Sequence, residues 1–303
     1  MLLAMLELMK ASAIRHLAVS NLGLRFAAAE FEKTVSIWDL ETCQKQFEFQ
    51  TVLDFGGSRL GIDNDARRCI AGAYNVHGIA CYETITGSLI WQRKDLKKVQ
   101  RISLTPNGSI AVCGFEEKPL HMLDMRDGKS LEKFRGCRRL VFSPYESFRF
   151  ADKARPEIQN LEGRTIAKLG RETFAVLSVA FGLGYFTISE SGGGVRCFEA
   201  STGKLIWRYK PQVGSHVLTL GYNPLAKTFM GVLWPYQKGG SKSLLVFDSS
   251  NGDVVNNFPL GSSSEEVFCL NGQRLLSSAG WLLDCSTEKV CGSFSFPLKE
   301  YCD

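Results

Sequence analysis

The sequence lacks the spacings on which most metal and nucleophile chemistry is built. Its ten cysteines form no CxxC, no paired CxxC and no Cys/His cluster of zinc-ligand type. The four histidines, His16, His77, His121 and His216, lie far apart with no HExxH among them. No Gly-x-Ser-x-Gly elbow occurs, and Gly192-Gly193-Gly194 is followed by neither a Lys nor a helix, so it reads as a hairpin turn and not a phosphate loop. The expectation is therefore no catalytic residue, no metal ligand and no cofactor. Beyond the first residues no apolar window reaches 18 residues, which argues against a membrane span. A large excess of either sign of charge is also absent. The formal net charge is +5 with a pI of about 8.6, which permits an acidic partner without requiring one.

What is present is an ordinary globular composition, 45% hydrophobic and 22% charged, which argues against disorder, collagen and coiled coil. Met1 to Met9 are apolar apart from Glu7, but no positive segment precedes them. Residues 1–13 are expected to be an extension that docks on the body as a short helix or strand. Cys69, Cys81, Cys113, Cys197 and Cys269 lie in apolar runs and read as small buried hydrophobes. The pairs Cys69/Cys81 and Cys285/Cys291 could each face across a hairpin, but separation in sequence does not fix disulfide geometry. Free thiols in a cytoplasmic protein are the simpler expectation.

The strongest signal is internal repetition. Polar anchors follow apolar segments at Asp39, Glu83, Asp124, Asn160, Glu199, Asp248 and Asp284, with spacings of 44, 41, 36, 39, 49 and 36 residues. The residue two before each is apolar: Ile37, Cys81, Met122, Ile158, Cys197, Val246 and Leu282. Four before stand Val35, Ile79, Leu120, Val195 and Leu244, a period of two that places one strand face in a core. Four after the anchor a Gly recurs at 87, 128, 203 and 252, with Gly163 one position early, as a tight hairpin needs. Two copies, Glu83 to Trp91 and Glu199 to Trp207, agree at six of nine positions. Upstream, the segments 102–114, 140–151 and 218–232 each read as two strands around a Pro, Asn or Gly turn. Four antiparallel strands repeated seven times predict an all-β chain: a seven-bladed β-propeller spanning 14–303 as a single domain.

The chain resembles the WD-repeat β-propellers over about residues 14 to 296. The resemblance rests on Ser36-Ile37-Trp38-Asp39, on Leu140-Val141-Phe142-Ser143-Pro144, and on Ser103-Leu104-Thr105-Pro106-Asn107-Gly108. The family's Gly-His signature is absent, with Ser215-His216 nearest to it. The two Glu-x-x-Thr-Gly-x-Leu-Ile-Trp copies look like the tryptophan-docking motif of quinoprotein propellers. That likeness implies that Trp91 and Trp207 pack between neighbouring blades.

In a propeller of this resemblance, with the strands of each unit named a to d, the d-to-a and b-to-c connections share one face. Lys94, Lys97, Lys98 and Arg101, opposed only by Asp95, fall in one such connection. Arg135, Arg138 and Arg139 fall in the next, and Lys153 and Arg155 lie within the fourth unit. A second candidate contact is the long sixth unit, where Trp234 and Tyr236 are expected in an extended b-to-c loop and suit an interface anchor. The expectation is a non-enzymatic protein–protein interaction scaffold whose basic face meets an acidic protein surface. The alternatives are a quinoprotein-like or hydrolytic enzyme with a site at the central channel, and a nucleic-acid-binding propeller. Aromatic residues interleaved with the basic arc, which base stacking needs, are lacking.

Overall fold

A computed structural model of the chain describes residues 16–293 apart from 21–24, 30–32, 52–58, 75–76, 117, 171–174, 193, 236–240, 262–266, 271–273, 278–280 and 285–288. The expected extension over 1–13 and the candidate Tyr236 lie outside the described residues. These residues hold 28 β-strands and no α-helix, in seven four-stranded sheets, each in chain order. The first sheet contains β1 (His16–Val19), β2 (Arg25–Ala29), β3 (Thr34–Asp39) and β4 (Lys45–Gln50). The second contains β5 (Arg59–Ile62), β6 (Arg68–Gly72), β7 (Ile79–Glu83) and β8 (Leu89–Arg93). The third contains β9 (Val99–Leu104), β10 (Ile110–Phe115), β11 (Leu120–Asp124) and β12 (Ser130–Phe134). The fourth contains β13 (Arg139–Phe142), β14 (Phe148–Asp152), β15 (Glu157–Asn160) and β16 (Thr165–Lys168). The fifth contains β17 (Val176–Phe181), β18 (Tyr185–Glu190), β19 (Gly194–Glu199) and β20 (Leu205–Tyr209). The sixth contains β21 (Ser215–Asn223), β22 (Thr228–Pro235), β23 (Lys242–Asp248) and β24 (Val254–Gly261). The seventh contains β25 (Val267–Leu270), β26 (Arg274–Ser277), β27 (Trp281–Asp284) and β28 (Lys289–Ser293). Two compact units divide the chain, one built mainly from Met9–Leu140 and the other mainly from Val141–Ser277.

Each of the seven polar anchors is the last residue of the third strand of its sheet. The turn that follows explains why an oxygen-bearing side chain is needed there. Asp39 Oδ1 accepts hydrogen bonds from the amides of Glu41 and Thr42 at 3.0 and 2.9 Å. Asp124 Oδ1 accepts from the Arg126 amide and Asp248 Oδ1 from the Ser250 amide, both at 2.8 Å. Such side-chain to backbone bonds replace a ladder that the turn interrupts. The amide of the residue four on then donates to the anchor carbonyl, from Gly87, Gly128, Gly203 and Gly252. These glycines have φ between 68° and 79°. In six sheets the third and fourth strands slip register just before the anchor, as between Ile37 and Trp38 or Cys197 and Phe198.

In the first sheet the same position is Cys43, which adopts φ 57° without being a glycine. A left-handed residue with a Cβ costs about 1–2 kcal/mol, part of which glycine returns as unfolded-state entropy. Replacing Cys43→Gly is therefore expected to raise stability by about 0.5–1 kcal/mol, seen as a higher urea midpoint. An unchanged or lower midpoint would mean that the Cys43 side chain contributes more than its backbone strains.

The period of two in the sequence implies one buried strand face, and here the structure differs. The inner strands are buried on both faces, because successive residues feed two different cores. Cys69 and Ala71 join Ile37, Phe49 and Leu60 between the first and second sheets. Ile70 between them joins Trp91, Val99, Cys113 and Leu123 between the second and third. The other unit repeats the arrangement. Phe150, Phe181 and Phe186 pack between the fourth and fifth sheets, and Cys197, Trp207, Phe229 and Phe247 between the fifth and sixth. Cys69, Cys81, Cys113 and Cys197 are free and buried. Burial raises all four thiols well above their usual range, Cys81 to about 12. Cys69 and Cys81 are not cross-strand partners, since Cys69 opposes Tyr82 and Ile70 opposes Cys81.

Trp234 is not in a loop, as the sequence led one to expect. It lies within β22 opposite His216, and the Lys242 ammonium sits 3.5 Å from its ring centre. Strand pairing in the sixth sheet extends as far as Pro235 opposite Ser215, so the connection to β23 starts beyond Pro235.

Candidate functional site

The residues nominated by sequence lie in and beside the connections that lead into and out of the third sheet. Between β8 and β9 the chain turns on Lys98 at φ 58° and is stitched on two sides. The Lys98 amide donates to the Tyr74 carbonyl at 2.9 Å, and the Glu116 amide donates to the Lys98 carbonyl at 3.2 Å. Tyr74 follows β6 and Glu116 follows β10, so this d-to-a connection lies beside two b-to-c connections. Leu96, 2% exposed, pins the segment into the core beneath, alongside Val99. Lys94 and Lys97 are left on the outside, exposed and without an ion pair among the described residues.

The connection after β12 approaches the first. A Cβ built on Gly114 would lie 3.7 Å from Arg101 Cβ and 3.6 Å from the Arg138 carbonyl oxygen, so the two segments flank one glycine of β10. Arg101, Arg135 and Arg138 are exposed and Arg139 is half-buried at the start of β13. The buried Cys137 thiol holds this turn by donating to the Arg139 carbonyl at 3.1 Å.

Partners that the sequence did not announce adjust the charge. Asp95, counted as opposing the lysines, is held instead by a bidentate Arg93 at 2.8 and 2.7 Å, which lowers its carboxyl to about 2. Lys98 pairs with Glu116 at 3.4 Å, and Tyr74 donates to the same carboxylate at 2.5 Å. Those two bonds lower the Glu116 pKa, so Lys98 is a compensated member of the group. Lys153, nominated in the fourth sheet, is engaged by Glu157 at 2.8 Å.

A second feature has no signature in the sequence. Asp95, Leu96, Lys118, Pro119, His121, Lys133 and Arg135 line a groove of about 680 Å³. Of these only Arg135 belongs to the nominated arc. His121 and Lys133 are directly opposed in the β11/β12 ladder and so emerge on one side of the sheet. Lys118 donates to the Asp95 carbonyl across the groove. His121 is buried, with Nδ1 3.1 Å from Ser130 Oγ and its ring edge-on to Phe115. Burial, then the charges of Lys133, Arg93 and Lys118, depress its pKa, so it is neutral at pH 7. Among the described residues no three His, Cys, Asp or Glu side chains gather into a metal-binding group. No helix among them is long and apolar enough to cross a membrane. Neither a protein-family model nor a curated protein sequence matches the chain at a significant level.

Proposed function

We propose that the seven sheets are the blades of a β-propeller, and that the chain is a non-enzymatic binding module whose basic connections capture an acidic protein surface. Seven sheets of one strand order support the propeller, as do cores shared by consecutive sheets within each unit. The observation that carries the binding role is the approach of the segments bearing Lys94, Lys97 and Arg101 and bearing Arg135 and Arg138 to the two sides of Gly114. Exposed cations on neighbouring connections reinforce one another's field and steer an oppositely charged partner more than they tighten the final complex.

Polyglutamate, as a model acidic polypeptide, tests this reading. Reversing Lys94, Lys97 and Arg138 to Glu is expected to slow its association roughly tenfold at low ionic strength. The difference should shrink at about 0.15 M salt, where the Debye length is about 8 Å. Because all three side chains are exposed, stability should change by no more than about 0.5 kcal/mol each. Unaltered association would reduce the arc to a solvated surface. Preference for duplex DNA with a steeper salt dependence would favour the nucleic-acid reading instead.

A further inference from the structure

The groove beside β11 and β12 is separate from the question of what the basic face captures, although Arg135 borders both. Three long cations converge on it: Lys118 from the connection before β11, Lys133 from β12 and Arg135 just after β12. Among the described lining residues the one carboxylate, Asp95, is already neutralised by the Arg93 fork, whose remaining nitrogen donates to the Gly128 carbonyl at 2.9 Å. No other described carboxylate of the wall offsets the charge of the three. His121 supplies a neutral imidazole in the wall. Its Nδ1 is occupied by Ser130, and its Nε2 has no partner among the described residues. Leu96 and Pro119 provide an apolar flank.

We propose that this groove binds an organic phosphate monoester. A phosphate dianion offers three acceptor oxygens, which matches an arginine fork and two ammonium groups better than a single carboxylate does. The volume lies within the range of small-molecule sites and far exceeds one phosphate, so the ester's organic part would lie along Leu96 and Pro119. A neutral imidazole whose charged form is opposed by three cations can donate to the phosphate from Nε2, and a bound dianion would reverse the field that it feels. The ester can come from a free small molecule or from a phosphorylated side chain of a protein.

Calorimetric titration of the full chain with O-phosphoserine and with a short peptide carrying one phosphoserine, each against its unphosphorylated form, separates these sources. Saturable binding of both phosphorylated probes supports a small-molecule site, and binding of the peptide alone supports a protein-borne phosphate. In either case Lys133→Gln or Arg135→Gln should weaken binding about tenfold or more, the usual loss for one charged hydrogen bond. Lys204→Gln, exposed just before β20 and outside both the groove and the basic connections, should leave it within twofold. The His121 ring-proton titration should also move to higher pH when the groove is filled. Binding that ignores the phosphate, or that falls equally in Lys204→Gln, would overturn the proposal. Lys133 and Arg135 are exposed, so thermal melting should confirm that these variants remain folded.

Discussion

Trp207→Ala is expected to cost about 3–5 kcal/mol of unfolding free energy, the range for removing a buried large aromatic. The indole is 6% exposed and lies flat on the turn glycine of the next sheet: a Cβ on Gly252 would fall 2.5 Å from the ring. Its Nε1–H donates to the Ser249 carbonyl at 2.9 Å, and its ring stacks on Phe247 with centroids 5.8 Å apart. Truncation would open a cavity and leave that carbonyl without its donor, two penalties that add. Trp91 repeats the geometry in the other unit. It lies on Gly128 and donates to the Met125 carbonyl at 3.0 Å. Urea unfolding of Trp207→Phe, which keeps a smaller ring and loses the donor, should show a smaller loss than Trp207→Ala, made up of the hydrogen bond at about 1 kcal/mol and a reduced cavity cost. Gly252→Ala should also destabilise, through both φ 79° and the clash with the ring. Its cost should fall in the Trp207→Ala background, because the clash then has no partner. If Trp207→Ala unfolds like the unaltered chain, the indole does not join the sheets.

The repeat that leads to this contact was legible because each of its features answers a local requirement. A turn after the third strand needs a side-chain acceptor at Asp39 or Asp124 and a positive φ four residues on, and such needs leave fixed residues at fixed spacing. Periodicity was a poorer guide to burial. The alternation of Ile79 and Cys81 suggested one buried face, yet Ala80 between them and Tyr82 after them are also buried, because a second core lies on the other side. The reverse error occurs at Leu89 and Ile90, apolar residues before Trp91 that are 50% and 40% exposed on the fourth strand. Nothing in a local window distinguishes an outer strand from an inner one. The site was legible only as a list of cations. Which of them stay uncompensated depends on Glu116 and Arg93, and Glu116 is distant in sequence from the Lys98 that it pairs with. The groove was hidden for the same reason: Lys118, His121 and Lys133 meet only when β11 and β12 pair.

The second large effect is expected at a charge pair that no sequence pattern marked. Glu190 ends β18 and Arg196 lies on β19, with Nη2 to Oε2 at 2.9 Å and side-chain exposures of only 1% and 6%. Ladder register explains why they meet. Arg196 opposes Ile188, so Glu190 is its diagonal neighbour on the same face, and the residue opposite Glu190 is Gly194, which leaves room for the guanidinium. That face is otherwise apolar, with Ile188, Phe186 and Phe198 on it. The guanidinium lies 5.2 Å from the centre of the Phe198 ring, and Phe198 stacks on Phe186. Each charge has therefore given up most of its hydration, and the opposite charge of the other offsets part of that loss. Glu190→Gln keeps size and hydrogen-bonding atoms but removes the counter-charge, and should cost about 3–5 kcal/mol. Arg196→Met should cost a similar amount, since it leaves the carboxylate buried instead. Combining Arg196→Met with Glu190→Leu removes both charges and should recover most of the loss, to near or above the original stability, because desolvation is then no longer incurred. Urea unfolding of Glu190→Leu, Arg196→Met and their combination closes this cycle, with Glu190→Gln as the isosteric check. Additive losses in the double variant would mean that the two side chains act as independent packing elements and that their charges are not coupled.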